Sequence, residues 1–149
     1  MTYEIGTSAI TAISAILSGL IAGQMLAIAL ANHAARELPE TSWTLRFQVE
    51  DKLFTKTMLP LFGLICSAFL TLSTQRGMFI AAGALEVIVL VITMTIEVPI
   101  NTKVQSWKAG CAPLTWTAIR DRWLRYHWLR TGVGVCSFAC AAIGLGIHR

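Results

Sequence analysis

Charged residues are scarce in this sequence. They make up 13% of its 149 residues, whereas hydrophobic residues make up 55%. Soluble domains carry about 25% charged residues, so the shortage argues against a soluble protein and indicates a membrane protein. The sequence also contains no recognisable nucleic-acid-binding module. Its basic residues flank apolar segments, a placement better explained by membrane topology and lipid headgroups than by a nucleic-acid partner.

Several other features are missing as well. The four cysteines show neither metal-binding nor disulfide spacing, so we interpret them as small apolar residues. No His-x-x-x-His or Glu-x-x-His pair supports a metal site. The first apolar run is too long for a signal-peptide core and follows Glu4 rather than a basic stretch. We therefore expect that run to be retained as the first helix.

Four apolar runs dominate what remains. They cover residues 10–31, 54–72, 78–96 and 131–147, and each is close to the roughly 20 residues that cross a bilayer as a helix. We predict an all-α integral membrane protein with a single domain over residues 1–149. Its expected fold is a four-helix bundle of up-down-up-down topology.

The charges predict an orientation. The first and third loops hold ten of the twelve lysines and arginines, and the opposite side holds only Arg76 and Arg149. The positive-inside rule then places the basic loops in the cytoplasm. The protein would be a multi-pass membrane protein, of the inner membrane if its source is bacterial. The sequence is compatible with a monomer and with a homo-oligomer.

The helices should extend beyond the membrane. Residues 38–43 and 112–116 both carry Pro and Ser/Thr helix-start signals, followed by helical patterns that run into spans two and four. Helices of about 30 residues would be roughly 45 Å long, so the bundle should project a polar cap above the hydrocarbon core. Pro60 and Pro99 predict kinks.

Helical periodicity directs polar and aromatic side chains into this bundle. On helix 4 the inward stripe contains Trp116, Arg120, Trp123, His127 and Arg130, flanked by Ile119 and Tyr126. On helix 2 it contains Trp43, Phe47, Glu50 and Phe54, with Asp51 at its edge, and on helix 3 it contains Glu86, Thr93, Glu97 and Asn101. The outward positions are Gln48, Lys52, Lys56, Asp121, Arg122 and Arg125.

Two interpretations of the converging charges stay open. The first is a buried salt-bridge cap that fixes helix register. The second is a pocket whose aromatic walls hold a flat apolar molecule while His127 and a carboxylate move protons. A metal held by His33, His127 and Glu97 is chemically possible. Glu86 lies deeper in the bundle and is best explained as a residue that fixes the register of the helices.

The segments "VPINTKVQSW" and "WTAIRDRWLRYHWLRT" resemble a known family. They are similar to the DUF1772 or anthrone oxygenase-like membrane proteins, small four-span proteins with a Pro-x-Asn, a Trp and an Arg-x-Arg-Trp-x-x-x-His-x-x-Arg pattern. The matching positions here are Pro99, Asn101, Trp107, Trp116, Arg120, Arg122, Trp123, His127 and Arg130. The resemblance implies oxidation of an anthrone or related polycyclic phenol to a quinone by O₂ without a conventional cofactor.

This chemistry assigns roles to residues. Removing the acidic C–H proton of an anthrone gives an anion that can pass an electron to O₂, which requires a base, cations and a dry aromatic slot. His127 would be the base, oriented by Glu50 or Glu97, and Arg120 and Arg130 would stabilise the oxyanion. The expected substrate-binding residues are Asn101, Trp116, Trp123, Phe54, Tyr126 and Trp107. The alternatives are a non-enzymatic scaffold or lipophile carrier, and a metal- or haem-dependent oxidase.

Overall fold

Long helices make up the protein. The computed structural model describes residues 2–57, 63, 65–67 and 77–147, with no account of the side chains of residues 2–8 and 54–57. Helix α1 (Thr2–Ala34) ends in a 3₁₀ turn (Ala35–Glu37) and is followed by α2 (Glu40–Thr57). Helices α3 (Gly77–Gln105) and α4 (Trp116–Ile147) complete the described part. All the regular structure in these residues is helical, which confirms the all-α class.

Both predicted helix starts are confirmed. Helix α2 begins directly after Pro39, whose carbonyl accepts the Trp43 N–H at 2.9 Å. Helix α4 begins three residues after Pro113, whose carbonyl accepts the Trp116 N–H at 2.8 Å. Proline is well suited to these positions because the first turn of a helix leaves its N–H groups without intrahelical partners.

Helix α3 contains a wide turn instead of a break. Residues Thr93–Glu97 are π-helical, and α-helix resumes over Val98–Gln105. Pro99 has no N–H, and its ring would clash with the carbonyl four residues earlier, that of Thr95. A π turn immediately before Pro99 accommodates this constraint while the helix continues. The kink predicted at Pro99 is therefore a π turn, and Pro60 lies outside the described residues.

Three of the described helical stretches are long and apolar enough to cross a membrane. They are Ala9–Glu37, Gly77–Gln105 and Trp116–Ile147. These stretches are compatible with an integral membrane protein. Most of the predicted second span, residues 54–72, lies outside the described part, so the four-span bundle, its polar cap and its orientation stay predictions.

Neighbouring helices pack antiparallel at close range. Along α1 and α4, Gly19 contacts the Phe138 ring and Arg36 pairs with Asp121. At the far end of α4 the Phe79 ring of α3 packs against Gly144. Small residues at such crossings let helix backbones approach closely where lipid supplies no hydrophobic drive.

Helix α2 docks on α3 through two glutamines. The Gln48 side chain donates to the Val104 and Trp107 carbonyls, both at 2.9 Å, and the Gln105 side chain donates to the Gln48 carbonyl at 3.1 Å. The outward placement of Gln48 predicted from periodicity is thus wrong. The physical reason is that carbonyls at the end of α3 can accept more than one donor: the Val104 carbonyl accepts both the Trp107 N–H at 3.1 Å and the Gln48 amide.

Aromatic side chains fill the space between α2, α3 and α4. Trp43 stacks on Phe47 at 5.0 Å, and Phe47 meets Trp123 edge-on at 5.2 Å. Trp43 also lies 5.9 Å from Trp116 and 6.5 Å from Trp107. Because Trp43, Phe47 and Trp123 are all buried, the space between these three helices is a packed core.

Gly144 offers a test of the packing between α3 and α4. A Cβ at Gly144 would lie 2.7 Å from the Phe79 ring and 3.3 Å from Met78 Cβ, whereas one at Gly146 would meet nothing within 4 Å. We expect Gly144→Ala to destabilise the protein by about 1–3 kcal/mol through overpacking. Gly146→Ala should be neutral or stabilising, because alanine favours helix. Thermal unfolding in detergent measures both variants, and equal midpoints would contradict this packing.

Candidate functional site

His127 lies at the centre of the candidate site. Its side chain is completely buried on α4, and Nε2 lies 3.1 Å from the Met25 carbonyl of α1. A carbonyl oxygen can only accept, so Nε2 carries a hydrogen. In the neutral ring the lone pair is then on Nδ1. The backbone of α1 thereby selects the nitrogen of His127 that is able to take up a proton.

A carboxylate and a guanidinium face this nitrogen. Glu97 Oε1 lies 3.1 Å from His127 Nδ1, and Glu97 Oε2 lies 2.9 Å from Arg130 Nη1. Arg130 also reaches His127 Nδ1, from Nη2 at 3.1 Å and from Nε at 3.3 Å, and it donates to Thr93 Oγ1 at 2.9 Å. Thr93, Glu97, His127 and Arg130 are called the Glu97 cluster below.

The cluster can exchange one hydrogen bond for another. With a neutral His127, Nδ1 accepts from Arg130. With a proton on Nδ1, the ring instead donates to Glu97 Oε1, and the single carboxylate then pairs with two cations, which leaves one net positive charge in the cluster. Buried charges need such partners because isolated charges are costly in a membrane protein. Nδ1 therefore has a hydrogen-bond partner in either protonation form of the ring.

Trp123 supports the imidazole from one side. Its indole stacks on the His127 ring with centroids 4.5 Å apart and planes 17° from parallel. The indole N–H donates to Asn101 Oδ1 at 2.8 Å, and Asn101 Nδ2 donates to Asp51 Oδ1 at 2.7 Å. This chain of contacts joins α4, α3 and α2.

Residues 43–140, about two thirds of the chain, match the family described as anthrone oxygenase. The chain belongs to the anthrone oxygenase family. In the same comparisons it matches no curated protein and no solved structure. Membership points to oxygenase-type chemistry, and the matched range contains every motif residue from Pro99 to Arg130.

Glu50, a predicted partner of His127, lies elsewhere in this anthrone oxygenase family member. Glu50 Oε2 accepts from Asn32 Nδ2 at 3.2 Å and pairs with Arg46 at 3.3 Å. Arg46 in turn donates to Asn32 Oδ1 at 3.0 Å. The structure brings Glu97, and not Glu50, to the imidazole.

Arg120 also lies apart from the Glu97 cluster. Its Nη1 donates to the Arg36 carbonyl at 2.8 Å, at the end of the 3₁₀ turn that follows α1. Its Nε pairs with Asp121 at 3.0 Å, and its guanidinium lies 5.0 Å from the Trp116 ring. Asp121, predicted to be a solvated charge, also pairs with Arg36 at 3.3 Å. Arg120 thus satisfies a carbonyl of the 3₁₀ turn after α1, while Arg130 is the arginine beside His127.

The remaining predicted residues have different surroundings. Trp116 and Trp107 pack against the aromatic core, and Tyr126 lies 5.9 Å from the Arg122 guanidinium. Asn101 is engaged by Asp51 and Trp123. The side chain of Phe54 lies outside the described residues. Sequence analysis overlooked the Met25 carbonyl, and periodicity alone gives no signal for a backbone acceptor.

His33, proposed as a metal ligand, is exposed on α1 and meets Trp128 edge-on at 6.3 Å. Within the described part of the chain, no group of three or more His, Cys, Asp and Glu side chains is arranged to hold a metal ion.

A second buried polar cluster lies deeper in the protein. Ser67 donates to Glu86 Oε1 at 2.8 Å, and Ser18 of α1 donates to the same oxygen. Ser67 Oγ also lies 3.1 Å from Ser18 Oγ. These bonds join α1, the helical segment at Ser67 and α3, in keeping with the register role predicted for Glu86.

The site is closed to solvent. A groove in the described part lies between α1 and α4 around Leu20 and Phe138, and none of its lining residues belongs to the Glu97 cluster. Within the cluster, the side chain of Arg130 is 14% exposed, compared with 0% for His127 and 3% for Glu97. Arg130 is therefore the charged member nearest the surface.

Two glutamates test how the buried charges contribute to stability. Glu97→Gln would leave the buried Arg130 without its carboxylate, which should cost about 3–5 kcal/mol. Glu50→Gln should cost less than about 1 kcal/mol, because its partner Arg46 is one third exposed and the amide can still accept from Asn32. Denaturant titration in detergent gives the free energy of unfolding of each variant. Equal losses would contradict a special role of the Glu97 pair.

Proposed function

We propose that this protein is a membrane-embedded oxygenase that converts an anthrone, or a related lipophilic polycyclic phenol, to a quinone. In the overall reaction a CH₂ group and O₂ give a carbonyl group and water, so no external reductant is consumed. No conventional cofactor is proposed. The observation that carries the proposal is the buried imidazole whose Nδ1 lies between a carboxylate and a guanidinium.

His127 begins the reaction as a base. Nδ1 takes a proton from the CH₂ group, and the electron pair of the C–H bond moves into the aromatic system as a phenolate-like anion. The new N–H donates to Glu97 Oε1, already 3.1 Å away, so the imidazolium has its counter-charge in place. The carboxylate thus accepts a hydrogen bond from the imidazolium that the transfer produces.

Movement of the Arg130 guanidinium frees Nδ1 of His127 and stabilises the oxyanion of the substrate. In the closed structure its Nη2 lies 3.1 Å from His127 Nδ1 and competes for the lone pair. Because Arg130 is the most exposed charged member of the cluster, we infer that substrate arrives on its side. The guanidinium then turns from the imidazole toward the substrate oxygen, which frees Nδ1 and places positive charge beside the developing oxyanion.

Oxygen completes the reaction. The anion transfers one electron to O₂, and the resulting radical pair combines to form a C–O bond, giving a peroxide anion. His127 returns its proton to the outer peroxide oxygen. Cleavage of the O–O bond with loss of the second C–H proton yields the carbonyl group and one water molecule. Surrounding apolar residues would exclude water from the anion.

One observation favours a second candidate, a structural brace. Among the described residues every buried side-chain nitrogen and oxygen has a hydrogen-bond partner, and aromatic rings fill the adjacent core. A non-enzymatic scaffold would have the same satisfied interior. The two functions differ in what happens when the cluster is altered without unfolding the protein.

His127→Gln separates these functions. The glutamine amide can keep a donor toward the Met25 carbonyl, but it has no basic nitrogen. We expect kcat for anthrone oxidation by the purified protein in detergent to fall by about 10²–10⁴ while the protein stays folded. Quinone absorbance and oxygen uptake measure the rate, and ¹⁸O₂ should place one labelled atom in each quinone.

The matched control is His33→Gln, because His33 is exposed and outside the cluster. Its turnover should equal that of the unmodified protein, and spontaneous oxidation is subtracted with a protein-free sample. Folded His127→Gln with unchanged turnover would exclude His127 as the base. If the substitution only lowers the unfolding temperature and the unmodified protein has no turnover, the brace is the correct interpretation.

A further inference from the structure

Asp51 accepts two hydrogen bonds from α3, although periodicity placed it only at the edge of the inward face of α2. Its Oδ1 accepts from Asn101 Nδ2 at 2.7 Å, and its Oδ2 accepts from Gln105 Nε2 at 2.8 Å. Both carboxylate oxygens are therefore engaged. Two amide groups of α3 hold the Asp51 carboxylate in one orientation relative to that helix.

This carboxylate determines how the Asn101 amide is turned. The Asn101 nitrogen donates to Asp51, which leaves its oxygen to accept the Trp123 N–H at 2.8 Å. A flipped amide would place its oxygen against the carboxylate and its NH₂ against the indole N–H. Both contacts would then be repulsive. The Asp51 carboxylate therefore ensures that Asn101 presents its oxygen to the Trp123 N–H.

Trp123 passes this constraint to the imidazole. The indole is held at its N–H by Asn101 and is met edge-on by Phe47 of α2. Its face stacks on His127 at 4.5 Å. The plane of the indole limits how far the imidazole can tilt, and a tilt would move Nδ1 relative to Glu97 and Arg130.

We propose that Asp51 is a positioning residue for His127, acting through Asn101 and Trp123. Its contribution to turnover rests on the proposed function. The ring geometry that it controls can be measured without substrate. Asp51 would keep His127 Nδ1 aligned between its two charged partners, so α2 supports the base from a distance. If Asp51 only held α2 against α3, replacing it would leave the His127 imidazole unaffected.

An exchange of side chains tests this chain of contacts. Asp51→Asn leaves one oxygen at position 51 for the two amide donors, Asn101 and Gln105. Asn101→Asp places a second carboxylate directly against that of Asp51. The double variant Asp51→Asn/Asn101→Asp restores all three hydrogen bonds and reverses the direction of the one between positions 51 and 101 alone. The carboxylate introduced at position 101 accepts from Trp123 and from the amide introduced at position 51. The oxygen of that amide in turn accepts from Gln105.

Nitrogen NMR of the labelled protein in detergent gives the substrate-independent measurement. We expect Asp51→Asn to shift the Trp123 indole N–H and the His127 ring nitrogens, and the double variant to return them toward their original positions. In a Trp123→Phe background, which removes the indole N–H, Asp51→Asn should cause no further shift of the His127 signals. Unshifted His127 signals in Asp51→Asn, or the same shift without the indole, would overturn the proposal.

Turnover gives the second measurement. We expect Asp51→Asn to lower kcat for anthrone oxidation by about 10- to 100-fold with little change in KM, and the double variant to recover most of that loss. Lys52→Gln, an exposed change at the next residue of α2, serves as the control and should leave both measurements unaltered.

The outcomes separate the two proposals. If the unmodified protein does not oxidise anthrones, the proposed function fails, and the NMR signals alone decide whether Asp51 positions His127. If turnover occurs and the His127 signals shift while kcat is unchanged in Asp51→Asn, the contribution of Asp51 to turnover is overturned, whereas its control of the ring geometry and the proposed function stand.

Discussion

The Glu97 carboxylate, shared between His127 and Arg130, is the constraint on which much of the structure depends. A buried carboxylate and guanidinium between two helices that are long and apolar enough to cross a membrane are tolerated only when their polar atoms have partners. The π turn of α3 lets the helix continue past Pro99 and leaves Glu97 buried against α4. The Met25 carbonyl of α1 then anchors the other side of the imidazole. Three helices are thus held in a common register by one set of polar contacts.

Helical periodicity predicted part of this site and missed part of it for a definable reason. A repeat of 3.6 residues reports the angle of a side chain around the helix axis, and it correctly turned Trp123, His127 and Glu97 inward. It does not report axial level relative to a neighbouring helix. Glu50 faces inward at the level of Asn32, and Arg120 reaches the end of α1, so neither meets His127. Proline and Ser/Thr signals were sufficient for the starts of α2 and α4, because these depend on local chemistry.

Membership in the anthrone oxygenase family and the closed interior impose different demands on the protein. Oxygenase-type chemistry needs space for a substrate and for O₂, whereas the described aromatic core is packed and His127 has no exposed surface. Under the proposed function, a long, flexible arginine as the outermost charged member of the cluster would reconcile the two. Arginine can move its guanidinium while its aliphatic stem stays in place. Opening would then require less rearrangement at Arg130 than separation of two helices.

The contact between His127 and the Met25 carbonyl has an evolutionary consequence. Its acceptor is a main-chain atom, so any residue at position 25 that keeps the helix supplies the same oxygen. Relatives could diverge widely along α1, exchanging methionine for other apolar side chains, without altering which imidazole nitrogen is free. A deletion or insertion within α1 would instead displace the carbonyl by a rotation of about 100° per residue. In this chain the contact therefore constrains the length of α1 more strictly than its composition.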